Sequence, residues 1–206
     1  MVSRNLLIFL FISYIIFPKF LWADITINEL IFDDTKPIHL KILETLPKEA
    51  ILQVGADDAE NTIIEFMDYL CGYCKKIHPE LIELAQKRDD VRVIFLQHPI
   101  LGESSYLIAK MVIAANLQNK GLELHNNIFT TQGSLTNEKL MNAVTESELN
   151  QVILKIDSEK SEVKKIIQLS SFLAGGVGAR GTPSLFINEY FSGGYLSKEQ
   201  IINLLK

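Results

Sequence analysis

The chain has 206 residues and a formal net charge of −5. This length suits one domain with room for an insertion. An acidic chain without a basic stripe lacks the positive field that nucleic-acid binding demands. With only two cysteines, the chain cannot be a small secreted scaffold held by several disulfides.

The first 23 residues have the composition of a secretory signal peptide. Arg4 gives a short basic start, and Leu6–Phe17 form a largely apolar run of 12 residues. A membrane-spanning helix needs about 20 apolar residues. The run therefore favours a signal peptide cleaved after Ala23 over the alternative, an uncleaved anchor. Cleavage removes two of the 20 basic residues and none of the 25 acids, so the mature charge becomes −7. We expect a periplasmic, exported protein.

The next part of the chain predicts an arm followed by a strand–helix–strand unit. Residues 24–50 show little periodicity and predict an N-terminal arm with little regular structure. Residues 61–70 are apolar and partly β-branched, as expected of a buried strand. Helical periodicity follows over residues 71–86, and a second strand over residues 91–100. Such a βαβ unit is typical of an α/β sheet.

Residues 103–174 differ in character and predict an inserted helical subdomain. Thr136 and Ser147 are candidate N-caps, and Gly121 is placed just past the end of the first helix. The segments with helical spacing are 103–121, 136–146, 147–156 and 158–176.

The C-terminal segment predicts a β-hairpin and a last helix. Residues 182–194 read TPSLFINEYFSGG, which suits two short strands joined by a turn. Ser197 and Gln200 have the spacing of a capping box at the start of the last helix.

Both cysteines lie two residues apart at the start of the predicted helix 71–86. Cys71 faces unpaired backbone N–H groups and the positive end of the helix dipole, which favour its thiolate. Cys74 lies one turn further in and is shielded by the helix. Thiol–disulfide exchange needs one accessible sulfur of low pKa and one protected sulfur. A disulfide closing so short a loop would stabilise the fold little, so a structural role is disfavoured.

Half a zinc site is the alternative for a C-x-x-C pair. Structural zinc requires four ligands, and the chain has no second C-x-x-C. The four histidines are spread without ligand spacing, so we expect no metal. They are His39, His78, His98 and His125.

The segment EFMDYLCGYCKKIHPEL resembles the active site of the thioredoxin superfamily, and more narrowly that of the exported DsbA-like thiol oxidoreductases. Pro79 matches the kinking proline five residues after the second cysteine. Glu65 matches the acidic residue six positions before the first. Thr182 and Pro183, in GTPSLFI, match the cis-proline motif that faces the disulfide in this superfamily. The resemblance covers residues 51–206.

The resemblance implies a thioredoxin-like α/β fold with an inserted helical subdomain at about residues 103–174. It implies that Cys71 and Cys74 form the redox-active disulfide. It also implies that the peptide bond between Thr182 and Pro183 is cis and that these two residues bind the substrate strand. No metal or organic cofactor is needed.

Two features depart from the DsbA pattern. Gly72–Tyr73 replaces a dipeptide that contains histidine in strongly oxidising members, and it also resembles the dipeptide of DsbC-like isomerases. Leu96 stands where relatives often have a basic residue, which leaves the partner of Glu65 open, with His98 as a candidate. Glu65 and Tyr73 are therefore the residues expected to tune the thiols.

The function expected from the resemblance is disulfide formation in reduced or unfolded exported proteins, with a membrane partner that reoxidises the enzyme. A DsbC-like isomerase or reductase would use the same residues but would favour the opposite direction of thiol–disulfide exchange. A non-catalytic binding module or holdase with a vestigial C-x-x-C is the alternative from another class.

Overall fold

A computed structural model of the chain describes residues 36–206, and a five-stranded sheet lies at its centre. The predicted signal peptide, residues 1–23, lies outside the described residues. The strand order is β1-β3-β2-β4-β5, in which β2 and β3 are parallel and the other neighbours are antiparallel. The strands are β1 (Leu52–Val54), β2 (Asn61–Met67), β3 (Val91–Gln97), β4 (Ser184–Ile187) and β5 (Tyr190–Ser192).

Eight α-helices accompany the sheet within residues 36–206. Five of them, α3 to α7, lie in the chain between β3 and β4, so the predicted thioredoxin-like α/β fold with an inserted helical subdomain is confirmed. The helices are α1 (Ile38–Thr45), α2 (Gly72–Lys87), α3 (Glu103–Asn116), α4 (Gly121–Thr130), α5 (Asn137–Glu146), α6 (Gln151–Ser158), α7 (Ser161–Gly176) and α8 (Lys198–Ile202), and a 3₁₀ turn covers Lys48–Ala50.

Strand β2 is the middle of the sheet, and all seven of its residues are buried. Its near-continuous apolar run is expected for a strand covered on both faces. Both central strands are three residues shorter than the patterns predicted. β2 ends at Met67 because the chain turns there, with the N–H of Cys71 donating to the carbonyl of Asp68 at 3.1 Å.

Helix α2 connects the two parallel strands and carries the cysteines. Cys71 is its N-cap, and Pro79 lies inside the helix. The predicted helix is confirmed, and its apolar face is buried. The buried residues are Cys74, Ile77, His78, Leu81, Leu84 and Ala85.

Helix α1 was missed by the sequence patterns, which predicted little regular structure over residues 24–50. Ile42 and Leu46 are buried, and the ring of His39 lies 6.5 Å from that of Phe186 in β4. The described part of the predicted arm belongs to the same compact unit as the sheet. Eight residues are too few for a clear periodic signal, and packing stabilises such a short helix.

The position predicted for Gly121 was wrong, and with it helix α4 was missed. Helix α3 ends at Asn116, and Asn119 takes the left-handed conformation with φ 60°. The N–H of Lys120 then donates to the carbonyl of Ala115 at 2.9 Å, which closes the helix as in a Schellman motif. Asparagine tolerates this conformation, so Gly121 is free to begin the next helix.

Of the two predicted N-caps in the insertion, one is confirmed and one is wrong. The Thr136 side chain accepts from the N–H of Lys139 at the start of α5. Ser147 instead follows the end of α5, and the side chain of Asn150 caps α6 through two backbone N–H groups. Asparagine caps as well as serine, so composition alone does not separate the two positions.

The C-terminal elements match the sequence patterns. Strands β4 and β5 form an antiparallel hairpin. The capping box is present at the start of α8, because the side chains of Ser197 and Gln200 each accept from the other residue's backbone N–H. Lys198, in α8, pairs with Glu83 of α2 at 2.7 Å, which attaches the last helix to the active-site helix.

Candidate active site

Cys71 and Cys74 differ in their access to solvent. The Cys71 side chain accepts a hydrogen bond from the backbone N–H of Cys74 at 3.4 Å, as an N-cap residue does. Cys71 is 8% exposed and Cys74 is fully buried. Both are free thiols in this structure. The pair therefore has the asymmetry that thiol–disulfide exchange requires.

Hydrogen bonds lower the pKa of Cys71 to about 5. The largest cause is the bond from the Cys74 thiol, and burial acts in the opposite direction. The Thr182 side chain and the backbone N–H groups of Cys74 and Tyr73 lower the pKa further. These groups all favour the thiolate, which is the nucleophilic form.

The pKa of Cys74 is shifted upwards. Burial is the main cause, and the hydrogen bond to Cys71 and the charge of Glu65 add to it. Cys74 therefore stays a protonated thiol while Cys71 is a thiolate. At neutral pH the reduced pair therefore carries one proton, on Cys74.

Glu65 lies on β2 with its side chain fully buried. Neither of its carboxylate oxygens has a hydrogen-bond partner among the described residues. Burial raises the pKa of Glu65 to about 8, the Cys74 thiol opposes part of this rise, and the charge of Cys71 adds to it. An isolated buried carboxylate takes up a proton because its charged form is poorly solvated.

The candidate partner of Glu65, His98, is not paired with it. His98 is buried at the end of β3, and its ring lies edge-on to Phe66 at 6.4 Å. Burial lowers the pKa of His98, which disfavours the positive charge that could offset that of Glu65. Leu96 is also fully buried, opposite Phe66 in the parallel register of β2 and β3.

The bond between Thr182 and Pro183 is cis, which confirms the prediction. The segment directly precedes β4, the antiparallel neighbour of β2. The carbonyl oxygen of Thr182 lies 3.1 Å from the sulfur of Cys71. Two segments 111 residues apart are thereby brought together at one sulfur.

Tyr73 contributes to the site in a different way from that expected of its side chain. Its ring is 59% exposed, and only its backbone N–H reaches Cys71. The ring lies 5.5 Å from that of Tyr195, and the amine of Lys76 lies 4.5 Å from the Tyr195 ring. The neighbouring Lys75 donates to the carbonyl of Gly133 at 2.6 Å.

A layer of aromatic and histidine rings beneath α2 has no counterpart in the sequence reasoning. The rings of His78 and His125 are 4.8 Å apart, although the two residues are far apart in the chain. Gln97 donates to the hydroxyl of Tyr69 at 3.3 Å, and that hydroxyl forms a hydrogen bond with Nδ1 of His125 at 2.9 Å. Phe129 stacks on His78 at 4.7 Å. The layer joins α2 to α4, the helix that the sequence reasoning missed.

Asp68 was also missed, although it lies three residues before Cys71. Its carboxylate is buried and accepts several hydrogen bonds. The signal available in the sequence was a short acidic residue directly after a buried strand, a position that favours turns.

Comparison with known proteins shows the family to which the chain belongs. A family model described as thioredoxin matches residues 48–206. The chain belongs to the thioredoxin family. The match includes both cysteines, Glu65 and the cis-proline.

Three relatives illustrate the similarity. A probable disulfide bond formation protein D from Bacillus anthracis is 26% identical over 148 residues, which is 66% of this chain and 68% of the relative. A thioredoxin-like oxidoreductase from Silicibacter pomeroyi superposes with a TM-score of 0.70 at 28% identity, covering 75% of this chain and 90% of the other. A periplasmic thioredoxin-like protein from Salmonella enterica serovar Typhimurium has a TM-score of 0.68 at 27% identity and covers 76% and 88% of the two chains. The resemblance inferred from the sequence motifs is confirmed.

Proposed function

We propose that the protein is a thiol–disulfide oxidoreductase that forms disulfides in reduced, exported proteins. The observation that carries the proposal is the pair of unequal thiols, with a thiolate favoured at Cys71 beside a fully buried Cys74. The names of the relatives, a disulfide bond formation protein and a thioredoxin-like oxidoreductase, support the same chemistry.

The reaction begins from the Cys71–Cys74 disulfide. A substrate thiolate attacks the sulfur of Cys71, a mixed disulfide forms, and Cys74 leaves with the electron pair of the broken bond. A second substrate thiolate then attacks the substrate sulfur of the mixed disulfide, and Cys71 leaves as a thiolate. The substrate loses two electrons and two protons, and the enzyme gains the electrons.

Glu65 is suited to supply a proton in the first step. Because its pKa is about 8, the carboxyl is mostly protonated at neutral pH, and it faces the Cys74 thiol in the interior. Cys74 leaves as a buried anion and requires a proton. In the reverse direction Glu65 would accept the same proton, so it serves as acid or base according to the direction.

The low pKa of Cys71 favours oxidation of substrates over isomerisation or reduction. A stabilised Cys71 thiolate stabilises the reduced enzyme, which makes the disulfide form a stronger oxidant. Glu65 acts in the other direction only above its pKa of about 8, where its ionised carboxylate disfavours a second negative charge nearby. The donors around Cys71 act on the reactive sulfur itself, and we assign the oxidising direction on that ground.

In this proposal the substrate strand binds beside Thr182 and Pro183. A peptide that reaches Cys71 must pass the backbone of Thr182, whose carbonyl lies 3.1 Å from the reactive sulfur. Pairing with an extended peptide through backbone groups would accept many sequences, as an enzyme with varied protein substrates requires.

Export and reoxidation complete the proposal. The signal-like segment 1–23 and the periplasmic relative support a location outside the cytoplasm. Within residues 36–206, every helix is too short or too polar to cross a bilayer. A membrane protein that oxidises the dithiol would return the enzyme to its starting state. No metal or organic cofactor takes part in the proposed steps.

Single-cysteine variants test the function directly. Cys74→Ser should accumulate a mixed disulfide with an unfolded protein that contains a disulfide: the Cys71 thiolate attacks that disulfide, one substrate sulfur leaves as a thiolate, and the resolving thiol is missing. Cys71→Ser should form no such adduct and should have no oxidase activity. Equal trapping by both variants, or undiminished activity when both cysteines are replaced by serine, would support the non-catalytic alternative. Titration of the wild-type protein against glutathione then separates an oxidase from a reductase.

A further inference from the structure

The helical insertion contains an apolar cleft between helices α3, α5 and α6, with a volume of about 640 Å³. Leu107 and Met111 line it from α3, Met141 lines it from α5, and Val152 and Ile156 line it from α6. None of the residues that line the cleft belongs to the candidate active site. Its volume lies within the range of about 300–1,000 Å³ that is usual for sites that bind small molecules.

The walls of this cleft carry large apolar side chains that are exposed to solvent. Val152 is 69% exposed, Ile156 is 62% exposed and Leu107 is 45% exposed. Val152 and Ile156 are four residues apart in α6 and therefore lie on the same face of that helix. Single exposed apolar residues are common on proteins, whereas several that line one cleft indicate a binding surface. An apolar ligand in the cleft would remove these side chains from water.

A buried lysine, Lys110, lies in the wall of the cleft. The residue is only 5% exposed, and lysine is rarely buried to this extent without a partner. Its ammonium group donates to the carboxylate of Glu159, which also pairs with Lys164 at 3.0 Å. The hydrogen bonds from these two lysines lower the pKa of Glu159 to about 2, so this carboxylate is ionised at neutral pH. One negative charge is thus shared between two positive charges.

A second lysine, Lys155, lines the cleft from α6. It is exposed, and its ammonium group pairs with no carboxylate within residues 36–206. The charged residues that line the cleft are therefore Lys110, Lys155 and Glu159, with an excess of positive charge. A lysine ammonium has three donors, so Lys110 can bind a further acceptor while it is bonded to Glu159. An apolar cleft with excess positive charge in its wall is complementary to an apolar molecule that carries a negative charge.

We propose that this cleft binds a free, single-chain amphiphile with an anionic head, of the fatty-acid class. The chain lies between α3, α5 and α6, and the carboxylate head binds Lys110 and Lys155. Met111 and Met141 have flexible side chains, which suits chains of different length. The inference does not depend on the proposed redox function, because the site uses neither cysteine.

Calorimetric titration of the purified mature protein with laurate, at concentrations below those at which laurate forms micelles, tests the proposal. We expect saturable binding of one laurate per chain. Decanoate should bind about tenfold more weakly, because two fewer methylene groups are buried. Dodecyltrimethylammonium has a chain of the same length and a positive head, and it should bind about tenfold more weakly than laurate or not at all. Absence of saturable laurate binding, or equal affinity for the cation, would overturn the proposal.

A matched pair of variants in α6 tests the apolar wall. Ile156→Glu places a carboxylate in the cleft and should weaken laurate binding about tenfold or more. Ile153→Glu is the control, because Ile153 is 46% exposed in the same helix and does not line the cleft. It should bind laurate as the wild-type protein does. Equal losses in the two variants would show that laurate binds to a general apolar surface, which would overturn the proposal.

The lysines are tested in the same titration. Lys110→Met and Lys155→Met keep most of the side-chain volume and should each weaken laurate binding about tenfold, the loss expected for a hydrogen bond between charged groups. Lys160→Met is the control, because Lys160 pairs with Asp157 and does not line the cleft. If Lys110→Met does not fold, the exposed Lys155 decides the test alone. Unchanged binding by Lys155→Met would overturn the assignment of the head group.

A bilayer could supply the same chemistry as a free amphiphile, and sedimentation with vesicles of phosphatidylglycerol separates the two sources. We expect the wild-type protein to stay in the supernatant, because the cleft holds one chain. Sedimentation with the vesicles would overturn the proposal in favour of a membrane-binding surface. Cys71→Ser should bind laurate with the wild-type affinity, so a failure of the proposed redox function would leave this result unchanged.

Discussion

Cys71 and Cys74 have the same side chain, and their different chemistry comes from the atoms around each sulfur. Cys71 at the helix start meets N–H and S–H donors, whereas Cys74 is buried one turn further along. Glu65 adds a third titrating group, a fully buried carboxyl that faces the Cys74 thiol. At the scale of single residues, the site is therefore a set of three coupled groups with strongly displaced pKa values.

We predict that iodoacetamide labels Cys71 in preference to Cys74 in the reduced protein. Because the pKa of Cys71 is about 5, its labelling rate should be nearly constant at neutral pH and should fall as the pH decreases through 5. Peptide mapping after brief labelling at several pH values measures both properties. Preferential labelling of Cys74, or a midpoint near the ordinary thiol value of 9, would contradict the assignment.

The pKa shifts of Cys71 and Glu65 have opposite signs, so their effects on the free energy of unfolding oppose each other. We therefore predict a weak pH dependence of stability in the reduced protein. Folding lowers the pKa of Cys71 from about 9 to about 5, so its contribution is complete above pH 9 and is lost as the pH falls to 5. Folding raises the pKa of Glu65 from 4.5 to about 8, so its contribution is complete below 4.5 and is lost as the pH rises through 8. Between about pH 5 and pH 8 the two slopes oppose each other.

Variants at the two positions separate these slopes. In reduced Glu65→Gln the free energy of unfolding should rise with pH between 5 and 8, because only the Cys71 linkage remains. In reduced Cys71→Ser it should fall with pH over the same interval. Urea unfolding at several pH values measures the slopes, and equal slopes in the two variants would show that one of the pKa shifts is absent.

The elements that position the site include two short helices without strong periodic patterns. Helix α1 buries Ile42 and its C-cap Leu46 is also buried, and helix α4 supplies His125 and Phe129 to the ring layer beneath α2. Neither helix was predicted. Both helices are stabilised by the packing of their buried side chains against the rest of the fold, since isolated helices of 8 or 10 residues are marginally stable in water.

We predict that Ile42→Ala lowers the free energy of unfolding by about 2–5 kcal/mol, the range for large-to-small substitutions in a core. The side chain of Ile42 is 1% exposed, so its removal leaves a cavity. Glu44→Ala is the control in the same helix. It removes only an exposed ion pair with Lys36 and should cost about 0–1 kcal/mol. Chemical denaturation compares the two, and equal small losses would show that α1 adds nothing to the core.

At the scale of the whole molecule, the helical insertion and the sheet meet at the active site. The loop after β3 reaches the Asp68 carboxylate, and the loop before β4 reaches Cys71 through Thr182. The insertion therefore begins and ends next to the reactive sulfur. Such an arrangement lets an inserted subdomain alter substrate choice without altering the sheet that holds the cysteines.

We predict that the mature protein begins at Asp24 and is recovered outside the cytoplasm. The basis is the apolar run Leu6–Phe17, which is shorter than a membrane-spanning helix. N-terminal sequencing of the protein from the soluble exported fraction measures the cleavage site. Recovery of the intact chain in the membrane fraction would indicate an anchor instead.

The features that the sequence predicted correctly are those encoded within one turn, strand or helix. They include the buried strand before Cys71, the helix that carries both cysteines, the hairpin and the capping box at Ser197. Alternation, helical spacing and capping residues act over a few positions, so a single sequence carries them. The cis bond at Pro183 was predicted from the family resemblance and not from such local rules.

Only the tertiary structure decided which distant groups meet. The sequence left the partner of Glu65 open, and packing placed that carboxylate in the interior, where it faces the Cys74 thiol and not His98. Packing brought the carbonyl oxygen of Thr182 to 3.1 Å from the sulfur of Cys71, although the two residues are 111 positions apart in the chain. It also brought the Asp68 carboxylate into a hydrogen bond with Ser105 at the start of α3. Contacts of this kind depend on how helices and strands pack against one another. That packing is determined by the burial of the whole apolar core, to which many residues contribute at once, and no short segment encodes it.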